Sequence, residues 1–148
     1  PVAANGAFTF TTPLAAAGAY AVTVGTQPAD QWCDVSAGTG NVSTNVSDVV
    51  VTCYNLVCGT GDENTSVSVA CPGGGPIAGL QFASYGTPTG SCGTYATSMC
   101  NSATSTSVVT TACVGNAGCT VPATNGNFGD PCGGTFKHLY IAAKCTVP

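Results

Sequence analysis

Few residues in this chain are equipped for chemistry. It carries six carboxylates, Asp30, Asp34, Asp48, Asp62, Glu63 and Asp130, together with His138, two lysines and no arginine. The acids are dispersed except for Asp62-Glu63. Neighbours on a strand point to opposite faces, so that pair does not form a glycosidase acid/base couple. No nucleophile-elbow glycine pattern surrounds a serine, and the expectation is a protein without catalysis or cofactor. Ten cysteines show no C-x-x-C spacing, and a single histidine cannot complete a Cys/His zinc quartet, so no metal site is expected. Such a density of cysteine in 148 residues instead signals disulfides and an oxidising, extracellular or cell-surface compartment.

The remaining polar candidates have ordinary local readings. Asp130 precedes Pro131 in a turn and Asn125 opens an Asn-Gly turn. Lys137 begins a strand-like run, and Tyr85 reads as an aromatic core residue with a polar tip.

Charged residues make up 5% of the chain, against about 25% in ordinary soluble domains. Net charge is −4 and the pI is near 4.2, which disfavours nucleic acid and anionic membranes as partners. A 44% hydrophobic content and a mean hydropathy of +0.30 argue against disorder. The Thr, Ser, Gly, Ala and Val that replace charge suit strands and tight turns, as in bacterial surface and secreted proteins. The sequence shows no initiator Met or basic leader, and its longest apolar run, Leu14 to Val24, is too short to span a bilayer; no membrane insertion is expected.

The elements divide into two textures. Over residues 1–55, alternation predicts strands at Ala7–Thr11, Tyr20–Val24, Gln31–Ser36 and Asp48–Cys53, with Cys33 and Cys53 as a natural disulfide pair. This part resembles an Ig-like β-sandwich repeat of large bacterial secreted proteins, on Asn5 to Phe10, Ala19 to Val24 and Val49 to Cys53. The strands that normally come first in such repeats are absent here. The implied sandwich is partial, and a neighbouring copy could complete it by strand addition. Over residues 56–148, strands are predicted at Val67–Cys71, Ile77–Phe82, Cys119–Val121 and Lys137–Ala143. Pro72 to Pro76 is a turn, and short helices are expected at Cys92–Cys100 and Ser107–Val114, the latter closed by Gly115-Asn116. The fold class is mainly β, ending in a small α+β disulfide-rich domain.

Within the second part, Phe82-Ala83-Ser84-Tyr85-Gly86-Thr87-Pro88 and Gly90-Ser91-Cys92-Gly93 are followed by Cys113-Val114-Gly115, Cys119-Thr120-Val121, Asn125, Phe128-Gly129-Asp130-Pro131-Cys132 and Gly134-Thr135-Phe136-Lys137-His138-Leu139, with Cys145 last. This series resembles the rhamnose/galactose-binding (SUEL-type) lectin domain over residues 56–146, in the version appended to plant β-galactosidases. The resemblance implies the pairs Cys58–Cys92, Cys71–Cys145, Cys100–Cys132 and Cys113–Cys119. It also implies a sugar site on Tyr85, Asn125, Asp130, Gly134 and Lys137, where a carboxylate accepts and an ammonium donates hydrogen bonds to ring hydroxyls. Two positions depart from the family pattern. Gly59 stands where sugar-binding members place an acid after the first cysteine; Asp62 or Glu63 could swing in, yet neither matches that position. Thr87 replaces an arginine. His138, where the family often has an aromatic, reads as a packing or surface residue.

The function expected from these features is an extracellular module that binds a rhamnose- or galactose-type glycan without chemistry. The alternative is a structural subunit of an extracellular filament or adhesin stalk, a homopolymer built by strand complementation. Glycosylation could decorate Asn41, Asn45 and Asn64 in their Asn-x-Ser/Thr contexts, or the hydroxyls of 102–111.

Overall fold

The computed structural model describes residues 7–147. Among these, 7–28 with 33–52 form one compact unit, and 29–32 with 53–147 form another. The elements in chain order are β1 (Ala19–Ala21), β2 (Gln31–Ser36), β3 (Thr39–Asn41), β4 (Val50–Asp62), β5 (Ser66–Ala70), β6 (Ile77–Gly86), α1 (Ser105–Cys113), β7 (Gly118–Pro122), α2 (Asn125–Phe128) and β8 (His138–Cys145). The chain is mainly β, as its residue types predict.

In the first unit β1 pairs antiparallel with β3, Tyr20 opposite Gly40. The Gln27 side chain acts as a polar clasp: its amide donates to the Cys33 carbonyl at 3.1 Å, and its oxygen accepts the Cys33 N–H at 2.7 Å. The strand expected at Ala7–Thr11 does not form. Its alternation leaves Phe8 and Phe10 edge-on to each other, with ring centroids 5.5 Å apart, and Phe10 stays 59% exposed. Alternation alone supplies no partner for the backbone, and an unpaired segment is not a strand. The quoted stretches Asn5–Gly6 lie outside the described residues. The described elements do not establish an Ig-like sandwich, and nothing among them favours strand donation by a neighbour.

The second unit is built around an antiparallel ladder in which β8 pairs with β4 on one side and with β6 on the other. Alternate β8 residues Leu139, Ile141, Ala143 and Cys145 are fully buried, joining Val67 and Val69 of β5 and Val121 of β7 in one core. Strands β5 and β7 form a second, two-stranded sheet. On α1, Ser105, Val109 and Cys113 recur every four residues and make the buried stripe. The helix stops where Gly115 adopts φ +88°, a left-handed conformation that disfavours side chains.

Sequence expectations for this unit differ at three places: β4 continues past Cys53 to Asp62, the Asn125-Gly turn opens the one-turn helix α2, and the segment 92–100 takes another form. Cys92–Cys100 is not a helix; Gly90 and Gly93 turn the chain at φ +90° and +84°, and Thr89 bridges Ala96. Its two cysteines leave in different directions, Cys92 to Cys58 and Cys100 to Cys132. With Cys71–Cys145 and Cys113–Cys119, these are the same four pairs that the family resemblance implies. Cys33 and Cys53 are also disulfide-bonded, and no cysteine is free. The 102–111 hydroxyls are partly internal: Ser102 and Ser105 are buried, and Ser105 Oγ accepts the Tyr85 N–H at 2.9 Å.

Candidate functional site

Four of the five residues expected at a site meet at one end of the β4–β8–β6 ladder. Tyr85 lies near the end of β6, held by Ser105 from α1, and its ring stacks on Phe128 of α2 with centroids 4.8 Å apart. The same one-turn helix brings Asn125 over the Tyr85 hydroxyl, which donates to Asn125 Oδ1 at 2.8 Å. Lys137 immediately precedes β8 and is buried, 2% exposed. Asp130 stands in the loop before it, fixed by an acceptor contact from Oδ1 to the Cys132 N–H at 3.3 Å. The Cys100–Cys132 bridge ties that loop to the segment after β6. Gly134 lies in the exposed bend of the same loop, with open space beside it.

The residue that joins these groups is Glu63, which sequence reasoning offered only as one of two unmatched acids and did not count among the site residues. Its carboxylate takes the Lys137 backbone N–H on Oε2 at 3.1 Å and the Lys137 ammonium on Oε1 at 3.2 Å, while the Tyr85 hydroxyl lies 3.3 Å from Oε1. Lys137 also pairs with Asp130 Oδ1 at 3.2 Å and donates to the Thr135 carbonyl at 2.8 Å. An ammonium has three protons, and all three are thus engaged. The turn that presents Glu63 is locally determined. Thr65 closes it through N–H and Oγ1 contacts to the Asp62 carbonyl, at 3.1 and 2.7 Å, and Asn64 takes the left-handed φ of +66° that asparagine tolerates.

The departure at Gly59 has a steric reason. A Cβ there would meet Val67 Cγ1 at 2.8 Å and the Ser68 carbonyl at 2.9 Å, because β5 lies directly against β4. No acidic side chain fits, and the carboxylate comes instead from the turn that follows. The signal in the sequence was the placement of Glu63 just ahead of the alternating run that ends in Cys71. The other departure, Thr87, braces the neighbouring loop: its hydroxyl lies 2.6 Å from Ser98 Oγ, and its N–H donates to the Cys100 carbonyl.

Electrostatics follow the geometry. The Lys137 backbone N–H, followed by its ammonium, holds the Glu63 carboxyl below its ordinary value against the opposing effect of burial. Burial pulls the Lys137 ammonium down, but the bonds to Asp130 and Glu63 outweigh it and raise the group above its usual range. Burial, aided by the Glu63 charge, pushes the Tyr85 phenol up to about 12. At neutral pH Glu63 is therefore a carboxylate, Lys137 an ammonium and Tyr85 a neutral phenol. Asp62 points away from Glu63 and pairs with His138 Nδ1 at 2.9 Å, so the adjacent acids serve different faces. Among the described residues no group of three or more His, Cys, Asp or Glu side chains gathers as a metal site would require, and no helix is long and apolar enough to cross a membrane.

A protein-family model described as the D-galactoside/L-rhamnose binding SUEL lectin domain matches residues 69–145. Among curated proteins, the chain is similar to beta-galactosidase 6 of Oryza sativa subsp. japonica, 42% identical over 85 residues that cover 57% of this chain and 10% of the relative. Beta-galactosidase 7 of the same plant is 38% identical over 101 residues, covering 60% and 13% respectively. Beta-galactosidase 8 of Arabidopsis thaliana is 43% identical over 70 residues, covering 47% and 8%. The chain thus spans about a tenth of the length of the curated relatives it matches.

Proposed function

As this chain belongs to the SUEL lectin domain family, we propose that it is an extracellular, non-catalytic module that binds a galactose- or rhamnose-type sugar at the Glu63–Lys137–Asp130 cluster. The observation that carries this reading is the convergence of two carboxylates on one buried ammonium, at 3.2 Å each, beside Asn125 and Tyr85. Carboxylates accept hydrogen bonds from vicinal ring hydroxyls, and the exposed Asn125 amide can donate to them. Lys137, its protons engaged, braces both acids and neutralises much of their charge, so that a neutral sugar meets acceptors that are already oriented. Asp130, 44% exposed at its side chain, is the member most open to a ligand, and the loop carrying Gly134 lies beside it.

The cluster also argues against hydrolysis. A glycosidase holds one carboxylic acid with a raised pKa, whereas Glu63 is held ionised. The match to about a tenth of each β-galactosidase supports an accessory recognition role, and the oxidised cysteines support a location outside the reducing cytosol. Titration of the folded chain with methyl β-galactoside and methyl α-rhamnoside, followed by calorimetry, tests this. Binding at millimolar concentration or better is expected, weakened about tenfold to a hundredfold in Asp130→Ala and in Glu63→Gln. Absence of binding to either sugar by folded protein would refute the proposal.

A further inference from the structure

The opposite face of β8 carries a feature that the cluster does not use. Leu139 and Ile141 point into the core, so His138 and Tyr140 face the other way. Phe136 sits edge-on to His138 with centroids 5.4 Å apart, and His138 lies 6.5 Å from Tyr140. Tyr140 then meets Tyr95 at 4.9 Å, and Tyr95 meets Phe82 at 5.6 Å. The result is a continuous aromatic row. Its inner end is half-buried packing, but Phe136 is 57% exposed and does nothing for the core.

Beside the exposed end opens a cleft of about 440 Å³, lined by Thr60, Gly61, Asp62, Thr65, His138 and Tyr140. None of these belongs to the Glu63–Asp130–Lys137 cluster. The polar groups are a carboxylate, an imidazole bonded to it at 2.9 Å, two threonine hydroxyls and a phenol. The volume falls within the range of about 300–1,000 Å³ of small-molecule sites, and the cleft is open and more polar in lining than most of them. The lining narrows the ligand class. An anion would meet the Asp62 carboxylate in a chain of net charge −4. An apolar ligand would cover Asp62 and the hydroxyls without satisfying them, which is unfavourable. A neutral ring with hydroxyls on its rim and a C–H face suits both surfaces: hydroxyls to Asp62, His138 and the threonines, the flat face against the aromatic row.

We propose that this cleft is a second saccharide site, taking a neutral pyranose independently of the first; the choice of ligand class rests on the reading of the chain as a carbohydrate-binding module. The register explains how one strand pair serves both. Asp62 lies opposite His138 in the β4–β8 ladder, and Glu63 and Lys137 flank that pair on the next positions, so successive residues supply opposite faces.

His138 is the only histidine, so its imidazole NMR signals report the cleft without ambiguity, while the Asn125 side-chain amide reports the first site. The whole chain would be titrated with methyl β-galactoside and methyl α-rhamnoside to 50-fold excess over about 1 mM protein, the regime suited to millimolar binding. The expected result is a saturable shift of His138 with a dissociation constant unchanged in Asp130→Ala and raised at least about fivefold in Phe136→Ala, both variants keeping native-like dispersion. Phe136 is exposed, and its loss does not threaten the fold. Movement of Asn125 with a silent His138 overturns the second site and leaves the first standing. Movement of His138 alone supports the cleft and removes the first site. A His138 shift that disappears in Asp130→Ala reports one site sensed at a distance and also overturns the proposal.

Discussion

Tyr85 is the residue on which the cluster is most tightly organised, since it is fully buried yet ends in a hydroxyl shared with Asn125 and Glu63. Tyr85→Phe keeps the stacking on Phe128 and removes the hydroxyl. Because Asn125 is exposed and water can take its place, the expected cost is about 0.5–1.5 kcal/mol in urea unfolding. The same residue sets a pH signature. Its phenol titrates near 10 when unfolded and near 12 when folded, so its contribution to stability is complete below pH 10 and disappears as pH rises to about 12. Lys137, raised above 10.5, acts in the same direction at the alkaline end. Glu63, lowered from 4.5, does the reverse: its contribution is present above pH 4.5 and lost as acid carries the pH down through its folded value. Denaturant unfolding from pH 9 to 12 should therefore show a fall in stability that is shallower in Tyr85→Phe. Equal slopes in the two proteins would contradict the assignment.

At the level of elements, the closeness of β4 to β5 decides which residues can supply the site. Placing an acid at the position where the family pattern calls for one, Gly59→Glu, should lower stability by about 1–3 kcal/mol through overpacking against Val67 and leave sugar binding no stronger. Thermal denaturation with a parallel sugar titration measures both; a stable variant with improved binding would contradict the steric account. This position also shows what the sequence could disclose. Strands with an alternating face, such as β5, and the four-residue stripe of α1 were readable because their periodicity is set by one buried side. Tyr85, Asn125, Asp130 and Lys137 were picked out through the family resemblance, as motif positions that the fold then gathers at one place. Glu63 was not, since its role depends on a strand-to-strand approach that forbids a side chain at Gly59 and on a turn that places the acid over Lys137. The stretch Cys92–Cys100 was misread for a related reason: its form is dictated by bridges to Cys58 and Cys132, far away in sequence.

Across the whole molecule, covalent staples take much of the role that charge and a large core play elsewhere. Cys71–Cys145 closes a separation of 74 residues and Cys113–Cys119 one of 6. Restriction of the unfolded chain alone gives about 4 kcal/mol for the first and about 2 kcal/mol for the second. Replacing each pair by alanine should then lower the melting temperature markedly more for Cys71/Cys145, and the reverse order would show that loop closure is not the governing term.

The β4–β8 register carries one further implication for how this fold can change. Asp62 and Glu63 look to opposite sides, as do Lys137 and His138 across from them. Removing or adding a single residue between Asn55 and Asp62 would rotate every following side chain to the other side of the ladder. Glu63 would then lie on the side of the ladder that carries His138, and Asp62 on the side that carries Lys137, misdirecting both acids in one event. Length variation among descendants of this chain is accordingly expected in the Asp130–Thr135 loop and excluded from β4, whatever substitutions that strand accepts.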